Sequence, residues 1–380
     1  MSSCPGTEMF DQPRLDTKFY MQKVCNSHQY VKEDSMSTTL LNPWDVREAD
    51  FPVTGTCAEQ MRFLLNYAVL APSGHNTQPW LFKIEADAIE LYADRAWALP
   101  VVDPDDRELT ISCGAALLNL RIALRHFGYR DVVQALPEPD DPDLLARIHM
   151  GEKIHAGEEE HVLFEAIRRR RTNRQAFEQR AVPADILAAL QKAAHTEGAW
   201  LILLQTEDDR SAVADLIALG DRVQLRDKHF RRELAAWVRP SRSQRSDGIP
   251  MYALRFGDLM SYPGPLVERT FALSNGQAAR DRQIARGSPV LAVLGTDVDT
   301  AYDWLVAGQA LERMLLYARS QEIWASFLNQ PIEVPDMRLT LQNMLERAGF
   351  PQMLLRMGYG PEIPPTPRRS VSEVLSVTWL

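Results

Sequence analysis

The chain has 380 residues, with 42 Lys and Arg against 51 Asp and Glu, and a formal net charge of −9. A general nucleic-acid binder needs a basic field, so this balance argues against one. The length corresponds to about two domains, and a hydrophobic share of 45% is sufficient for packed cores. No apolar run reaches the roughly 20 residues of a membrane span, and the polar N-terminus lacks a signal-peptide core. We therefore expect a cytoplasmic protein without a membrane partner.

The first half of the chain begins with a segment of weak hydrophobic periodicity, residues 1–36, which we interpret as an N-terminal extension. Beyond it, apolar residues at i+3 and i+4 spacing predict a helix over Met61–Leu70. Ile111–Phe127 is apolar nearly all round, which predicts a buried central helix that ends at Gly128. Between the two helices the sequence predicts a polar loop and two strands, at Ala71–Trp80, Leu81–Ile84 and Ala88–Tyr92.

The second half repeats this order around a long insertion. The predicted helices are Leu163–Arg171, Ala184–Ala194 and Trp304–Tyr317, and the predicted strands are Ala199–Leu204 and Val290–Gly295. Residues 225–287 lie between the two strands and are rich in Arg and aromatic side chains. Because most connections are about 4–6 residues long, this segment is interpreted either as a lid over a ligand or as a helical subdomain without a role in access.

The polar loop Ala71–Trp80 has the chemistry of a ligand-binding turn. Pro72 cannot continue the preceding helix, and Ser73, Gly74 and Asn76 suit a turn. Such a loop presents backbone N–H groups, a hydroxyl and a carboxamide together, which suits the edge of a planar heterocycle. The alternative is an ordinary loop that ends in a buried Trp. For His75, inside the loop, a solvent-facing position is more common than contact with a ligand.

A basic run, Arg168–Arg171 followed by Arg174, is the second unusual segment. Four successive arginines cannot share one helix face, so Arg170, Thr172 and Arg174 fit a helix terminus that continues into an irregular segment. Paired guanidinium groups with a hydroxyl suit a phosphate, whose oxygens Arg binds bidentately. Two alternatives remain: a solvated basic helix end, and a nucleic-acid patch, against which the acidic residues 158–160 argue.

Three segments together resemble the flavin-dependent nitroreductase superfamily. Ala71–Trp80 is similar to its A-P-S-x-x-N-x-Q-P-W signature. Residues 170–177 are similar to its R-x-S-x-R/K-x-F pattern, with Thr172 in place of Ser and one extra residue before Phe177. Residues 355–369 resemble its C-terminal passage, in which an Arg and a Gly-Tyr pair precede two prolines and an Arg-Arg pair.

This resemblance implies an FMN site, with NAD(P)H as a candidate electron donor. The phosphate would contact the basic run and the C-terminal arginines, and Arg174 would face the N1–O2 edge of the flavin. A backbone N–H near Asn329 and Gln330 would face N5, although this sequence lacks the Gly expected there. No catalytic side chain and no metal ligand is assigned. The implied cofactor-binding residues are Pro72, Ser73, Gly74, Asn76, Arg170, Thr172, Arg174, Asn329, Gln330, Arg368 and Arg369.

The two halves of the chain look like one architecture used twice, with complementary losses. Ala193–Trp200 replaces the polar loop in the second half without its Pro, Asn and Gln, and Gly55–Cys57 replaces the basic run in the first half without a basic residue. This resembles the two-lobed Acg-type branch of the superfamily. It implies an α+β pseudo-dimer, whose nitroreductase-like lobes each carry a mainly antiparallel sheet flanked by helices. We place the first lobe at residues 37–155 and the second at residues 156–380.

The function favoured by these patterns is an FMN-dependent oxidoreductase. It would take a hydride from NAD(P)H and pass two electrons to a nitro compound, a quinone or a related small-molecule acceptor. We expect one FMN per chain and a monomer that is sufficient to bind it, which leaves a dimer open. The alternative is an FMN-sequestering protein with little turnover. The scattered cysteines and the absence of G-x-G-x-x-G and P-loop motifs support neither a zinc site nor a Rossmann or P-loop nucleotide site.

Overall fold

The first lobe consists of helices packed on one antiparallel sheet. The computed structural model describes residues 42–254 and 275–376, so the predicted N-terminal extension lies outside the described residues. The helices and strands of the first lobe are α1 Cys57–Ala68, β1 Trp80–Glu85, β2 Ala88–Ala93, α2 Arg107–His126, β3 Tyr129–Ala135 and β4 Leu144–Lys153. The next helix, α3 Glu158–Ile167, lies beyond the predicted boundary but packs its Leu163 and Phe164 into the core of this lobe. The strands pair in the order β1-β2-β4-β3, and every pair is antiparallel.

The second lobe contains a second antiparallel sheet and a long connection inserted into it. Its elements are α4 Ala184–Thr196, β5 Trp200–Leu204, α5 Glu207–Arg226, α6 Lys228–Trp237, β6 Val238–Arg239, β7 Ile249–Pro250, α7 Asn275–Arg286, β8 Val290–Thr296, α8 Ala301–Ser320, β9 Trp324–Phe327, α9 Gln330–Glu333, α10 Pro335–Met344, β10 Phe350–Gly358 and α11 Val371–Val374. The sheet has the order β5-β8-β10-β9. None of the described helices is long and apolar enough to cross a membrane.

The topology of the two sheets is the same. When β1, β2, β3 and β4 are matched with β5, β8, β9 and β10, both the sheet order and the position of the long helix after the second strand coincide. The prediction of an α+β fold with two duplicated lobes is therefore confirmed. The lobe boundary at residues 155–156 stays a prediction, since other segments of the second half lie against the first lobe.

Several segments of the second half contact the first lobe, among them the tail and the insertion. At the C-terminal end, the Ser376 N–H donates to Phe82 O at 2.7 Å and Leu375 forms a β-bridge with Phe82, which adds the tail to the edge of the first sheet. In the insertion, the Glu233 carboxylate accepts from the backbone N–H groups of Val101 and Val102, each at 2.9 Å. The insertion begins directly after β5, earlier than the predicted residue 225, and residues 255–274 of it lie outside the described residues.

One helix ends earlier than its sequence predicts. The expected helix over Leu163–Arg171 stops after Ile167, because the N–H groups of Arg169 and Arg170 both turn back to Ala166 O. The Asn173 N–H then donates to Ala325 O in β9. Pairing of Asn173 with the second sheet thus takes the place of the last helical turn. It also positions the basic run between the two lobes.

The two long helices α2 and α8 cross at closely approaching glycines. A Cβ added at Gly114 would lie 2.3 Å from Leu305 O, and a Cβ added at Gly308 would lie 2.1 Å from Ile111 O. Both obstructing atoms are backbone, so no side-chain rotation relieves the clash. This crossing places Leu305 in the core of the first lobe and Ile111 in the core of the second.

Gly308→Ala is therefore expected to push α2 and α8 apart and to lower the melting temperature of the protein. Overpacking of this kind costs about 1–3 kcal/mol. The matched control is Gly276→Ala in α7, where an added Cβ meets nothing within 4 Å and Ala favours the helix. Thermal unfolding followed by circular dichroism measures both variants. Equal melting temperatures for Gly308→Ala and the wild type would contradict a tight crossing.

Candidate functional site

The polar loop Ala71–Trp80, here called the signature loop, has a strained backbone. His75, Asn76 and Gln78 have φ values of +48°, +57° and +56°, a region that L-residues with side chains seldom adopt. Within the loop, the Gln78 N–H donates to Ser73 Oγ at 2.9 Å. Strain of this kind persists only where surrounding contacts impose it, and it is concentrated at binding sites.

Asn76 joins three segments of the chain at the signature loop. Its Nδ2 donates to Gly248 O of the insertion at 2.8 Å and to Pro367 O of the tail at 3.2 Å. Its Oδ1 accepts from Arg368 Nη1 at 2.9 Å. The side chain is buried, so its donors and acceptor are used by the protein, and the residue holds the insertion and the tail against the loop.

Two adjoining cavities lie against the signature loop. The larger has a volume of about 280 Å³ and the smaller a volume of about 90 Å³. Pro72, Ser73, Arg174 and Ile249 line both, so these residues form the boundary between them. Of the predicted site residues, Gly74, Asn329 and Gln330 line the larger cavity, and Asn76, Thr172 and Arg368 line the smaller.

Arg170 and Arg369, two further predicted site residues, line neither cavity. Arg170 is buried, with its Nε 3.3 Å from the Glu312 carboxylate and its Nη2 donating to Leu70 O at 3.0 Å. Arg369 donates from Nη1 to Gln78 O at 3.0 Å, and its guanidinium lies 4.2 Å from the centre of the Trp97 ring. Both cations thus already have partners within the protein. Both also donate to backbone carbonyl groups in or next to the signature loop and so support its conformation.

Arg174 is the residue with the most unusual environment at the boundary. Among the residues that the structure describes, it has neither a hydrogen-bond partner nor an ion-pair partner. Burial alone lowers the pKa of Arg174 to about 10, so the side chain stays charged at neutral pH. A desolvated cation without a protein partner is costly, and an anionic ligand removes that cost.

Two further arginines bring positive charge to the smaller cavity. Arg171, which the sequence analysis did not assign, lies 3.8 Å from the centre of the Trp44 ring and donates to Arg170 O at 2.7 Å. Burial, and then the charge of Arg170, lowers the pKa of Arg171 to about 9. Burial also lowers the pKa of Arg368 well below its usual value, and Arg170 and Arg171 add to this effect. This mutual repulsion favours an anion between them.

His75 lines the larger cavity rather than facing solvent. Burial, reinforced by the charge of Arg174, lowers the pKa of His75 to about 4, so the imidazole is neutral at physiological pH. A neutral ring at this position offers one donor and one acceptor to a ligand without adding a charge.

Four carboxyl groups line the larger cavity, and sequence reasoning assigned none of them to the site. Burial, and then the charge of Asp281, raises the pKa of Asp221 to about 8. Burial raises the pKa of Glu333 to about 7, and burial together with the charge of Glu333 raises the pKa of Glu108 well above its usual value. Burial likewise raises the pKa of Asp281. These residues come from separate helices, so no local sequence pattern marks them.

Comparison with known proteins shows to which family the chain belongs. No family model matches the chain. It is 32% identical over 323 residues to Rv3131 of Mycobacterium tuberculosis strain H37Rv, which is provisionally named an NAD(P)H nitroreductase, and the alignment covers 84% of this chain and 91% of that protein. The acg product of the same strain, with the same provisional name, is 27% identical over 337 residues, covering 86% and 98% of the two chains. The chain therefore belongs to the NAD(P)H nitroreductase family, as the three motifs predicted.

Solved structures in the same comparison are more distant. The FMN-dependent nitroreductase NfnB of Mycobacterium smegmatis, solved in complex with NADPH, is 15% identical and aligns to 58% of this chain and 99% of its own, with a TM-score of 0.39. A nitroreductase of Bacteroides fragilis with bound FMN is 18% identical, covers 53% and 89%, and has a TM-score of 0.33. Scores this low carry no argument about the site.

Asp221→Asn is expected to make the stability of the flavin-free protein less dependent on pH. The folded state holds a proton on Asp221 up to about pH 8, whereas an unfolded Asp loses it near pH 4. The free energy of unfolding therefore falls as the pH rises from the unfolded pKa to the folded pKa of Asp221. Asn does not titrate, so the substitution removes this decrease. Melting temperatures at about pH 5 and about pH 8 measure the effect, with Asp208→Asn, exposed on the same helix, as the control. Parallel changes in all three proteins would contradict it.

Proposed function

We propose that the protein is an FMN-dependent NAD(P)H oxidoreductase whose single flavin spans the two cavities, with its phosphate in the smaller cavity. The observation that carries this proposal is Arg174, a half-buried cation at the boundary of the two cavities that has no protein partner in the described part of the chain. The flavin supplies hydride transfer when it is bound, and the protein positions it and sets the charge around it.

The residues of the smaller cavity fit a phosphate. Arg171, Arg174 and Arg368 bring three guanidinium groups to it, and Thr172 adds a hydroxyl. The Nε atoms of Arg171 and Arg368 are buried without a hydrogen-bond partner among the described residues, so the cluster retains unused donor capacity. Charge-assisted hydrogen bonds from guanidinium groups to a phosphate are short and strong. The buried Glu312 balances only part of this charge, because it lies against Arg170 behind the cavity.

The residues of the larger cavity fit the ring of the cofactor. Ser73 and Gly74 come from the signature loop of the first lobe, and Asn329 and Gln330 come from the segment after β9 in the second. Apolar side chains of the insertion, including Phe230, complete the lining. The lining thus combines apolar side chains with many polar and charged groups that can fix the orientation of a ligand. The acceptor is proposed to be a nitro compound or a quinone that enters this cavity.

A closed insertion favours a second candidate function, FMN binding with little turnover. The insertion is held to the signature loop by three hydrogen bonds: Gly248 N–H to Asn76 O at 3.1 Å, Asn76 Nδ2 to Gly248 O at 2.8 Å, and Gln78 Nε2 to Ser246 O at 2.8 Å. The Tyr252 hydroxyl also donates to Pro365 O at 2.8 Å. An insertion fixed in this way covers the site and restricts the approach of a dinucleotide.

Arg174→Met tests the proposed function. The wild type is expected to bind one FMN per chain, and the variant to bind it about tenfold to hundredfold more weakly, since a charge-assisted hydrogen bond contributes about 1.5–3 kcal/mol. Quenching of FMN fluorescence on titration with flavin-free protein gives the dissociation constants. Arg169→Met is the matched control, because Arg169 is exposed and pairs with Glu322 outside both cavities. Equal affinities in all three proteins, or no binding by the wild type, would refute the proposal.

Asp247→Ala is expected to speed the reduction of bound FMN by NADPH and to leave its reduction by dithionite unchanged. The Asp247 carboxylate accepts from Arg239 at 3.2 Å and from Arg245 at 2.7 Å, which fixes the turn that presents Ser246 and Gly248 to the signature loop. Stopped-flow absorbance of the anaerobic flavoprotein follows both reactions. Ser241→Ala, exposed in the same segment, is the control. If the wild type already reacts with NADPH as rapidly as the variant does, the insertion does not limit access.

A further inference from the structure

Two segments of the chain meet at the larger cavity. The first is Asp103–Glu108, which leads into α2, and the second is Gln330–Pro335, which contains α9. Arg107 of the first segment joins the two, because it donates to Ile332 O of the second at 3.4 Å, and it also donates to Gln352 O in β10 at 3.0 Å. The two segments thus form one wall of the cavity, in which Glu108 and Glu333 are both lining residues.

Glu108 is held in this wall with one oxygen bound and the other free. Its Oε1 accepts from Asn329 Nδ2 at 3.1 Å. Its Oε2 points to the signature loop, since a Cβ added at Gly74 would lie 3.7 Å from it. Within the described part of the chain, Oε2 has no hydrogen-bond partner. A buried carboxyl oxygen that faces a cavity without a partner is free to exchange a proton with a ligand there.

From this geometry we propose that Glu108 is a catalytic residue, the proton donor that completes the two-electron reduction of the acceptor. This inference rests on the proposed function, which places the acceptor and a dihydroflavin in the larger cavity. For a quinone, a hydride from the dihydroflavin and a proton from Glu108 Oε2 give the hydroquinone. The Oε2–H bond breaks, an O–H bond forms on the substrate, and solvent restores the proton to the carboxylate. For a nitro compound, the same hydride and one proton from Glu108, delivered to the departing oxygen, break one N–O bond and give the nitroso product and water.

The electrostatic surroundings of Glu108 favour its protonated form. Burial and the charge of Glu333 raise the pKa of Glu108, and Asp103 acts in the same direction. Arg107, whose Nη2 lies 3.9 Å from Glu108 Oε1, and the hydrogen bond from Asn329 oppose them. The other titratable and charged groups of the same cavity are His75 and Arg174 near the signature loop and Asp221, Asp281, Arg280 and Arg356 on its other walls. Burial and the neighbouring carboxyl groups favour the protonated acid, which becomes a carboxylate as the pH rises through its pKa.

Comparison of two kinds of electron acceptor tests the assignment. Full-length flavoprotein is photoreduced without oxygen and mixed in a stopped-flow instrument with menadione, whose reduction needs protons, or with ferricyanide, whose reduction does not. Glu108→Gln keeps the size of the side chain and its hydrogen bonding but cannot supply the proton. It is expected to slow menadione reduction by about 10²-fold or more, in the range of general acid catalysis, and to leave ferricyanide reduction unchanged.

The pH profile separates proton donation from a structural role. In the wild type, the rate with menadione is expected to fall as the pH rises through the pKa of Glu108, and Glu108→Gln should abolish this dependence. Glu108→Asp, which retains a carboxyl group, should restore part of the rate and the dependence. Glu333→Gln removes a negative charge that raises the pKa, so the fall should move to lower pH.

Infrared difference spectra between neutral and alkaline pH provide a readout that does not need turnover. Carbonyl bands of protonated carboxyl groups are expected in the wild type, and Glu108→Gln should remove one of them, whereas Asp221→Asn should remove a different one. Absence of bound flavin in the wild type would overturn both the proposed function and this inference. Bound flavin with equal slowing of menadione and ferricyanide by Glu108→Gln, or with no slowing of either, would overturn the proton-donor assignment alone.

Discussion

The crossing of α2 and α8 at Gly114 and Gly308 is the constraint on which the site depends. The backbones approach so closely that only glycine fits on either side. Because α2 belongs to the first lobe and α8 to the second, this contact fixes how the two duplicated units face each other. Glu108, Ile111 and Ser112 of α2 then line the same cavity as Leu311 of α8. Both cavities are thereby lined by residues of the two lobes within one chain.

The strain in the signature loop is a consequence of the same arrangement. Three residues in the left-handed region cost roughly 1–3 kcal/mol each, which local contacts within a short loop do not offset. Here the tail and the insertion supply the compensation. The Arg369 N–H donates to Gln78 Oε1 at 2.7 Å, and Asn76 bonds to Gly248 and Arg368. Arg170 contributes by binding Leu70 O at the start of the loop. Two of the sequence-predicted phosphate ligands therefore keep the loop in shape instead of lining a cavity.

The sequence indicated the family and the duplicated architecture because both depend on local patterns. The buried helices were predicted from residues that are apolar all round, and they are α2 and α8 with ends shifted by a few residues. Strands β3 and β4 were not predicted, since β3 alternates between half-buried and exposed positions and carries polar residues such as Arg130 and Gln134. The end of α3 was placed too late, because pairing of Thr172 with Ala325 in a distant strand outweighs the helical preference of the arginines.

The difference between local sequence patterns and long-range packing also explains which site residues the sequence could indicate. Ser73, Thr172 and Arg174 lie in compact motifs with a readable chemistry. Arg171 lies between the motif positions Arg170 and Thr172. Nothing in the sequence pattern distinguishes it from Arg170, which supports the loop and lines neither cavity. Glu108 and Asp221 lie on helices more than a hundred positions apart, so only the packed structure brings them to one cavity.

Charge is distributed unequally between the two cavities, and this gives the site a direction. The smaller cavity is lined by three guanidinium groups and, among the described residues, by no carboxyl group. The larger cavity is lined by Arg174, Arg280 and Arg356 together with four carboxyl groups, whose pKa values are raised toward the neutral form. The chain as a whole is negative, but its field is screened beyond about 8 Å at physiological ionic strength. An anionic group is therefore selected by the local cluster rather than by the net charge. With its phosphate at the basic end, an elongated ligand has its other end directed toward groups that carry protons, and that is the end at which a two-electron reduction consumes them.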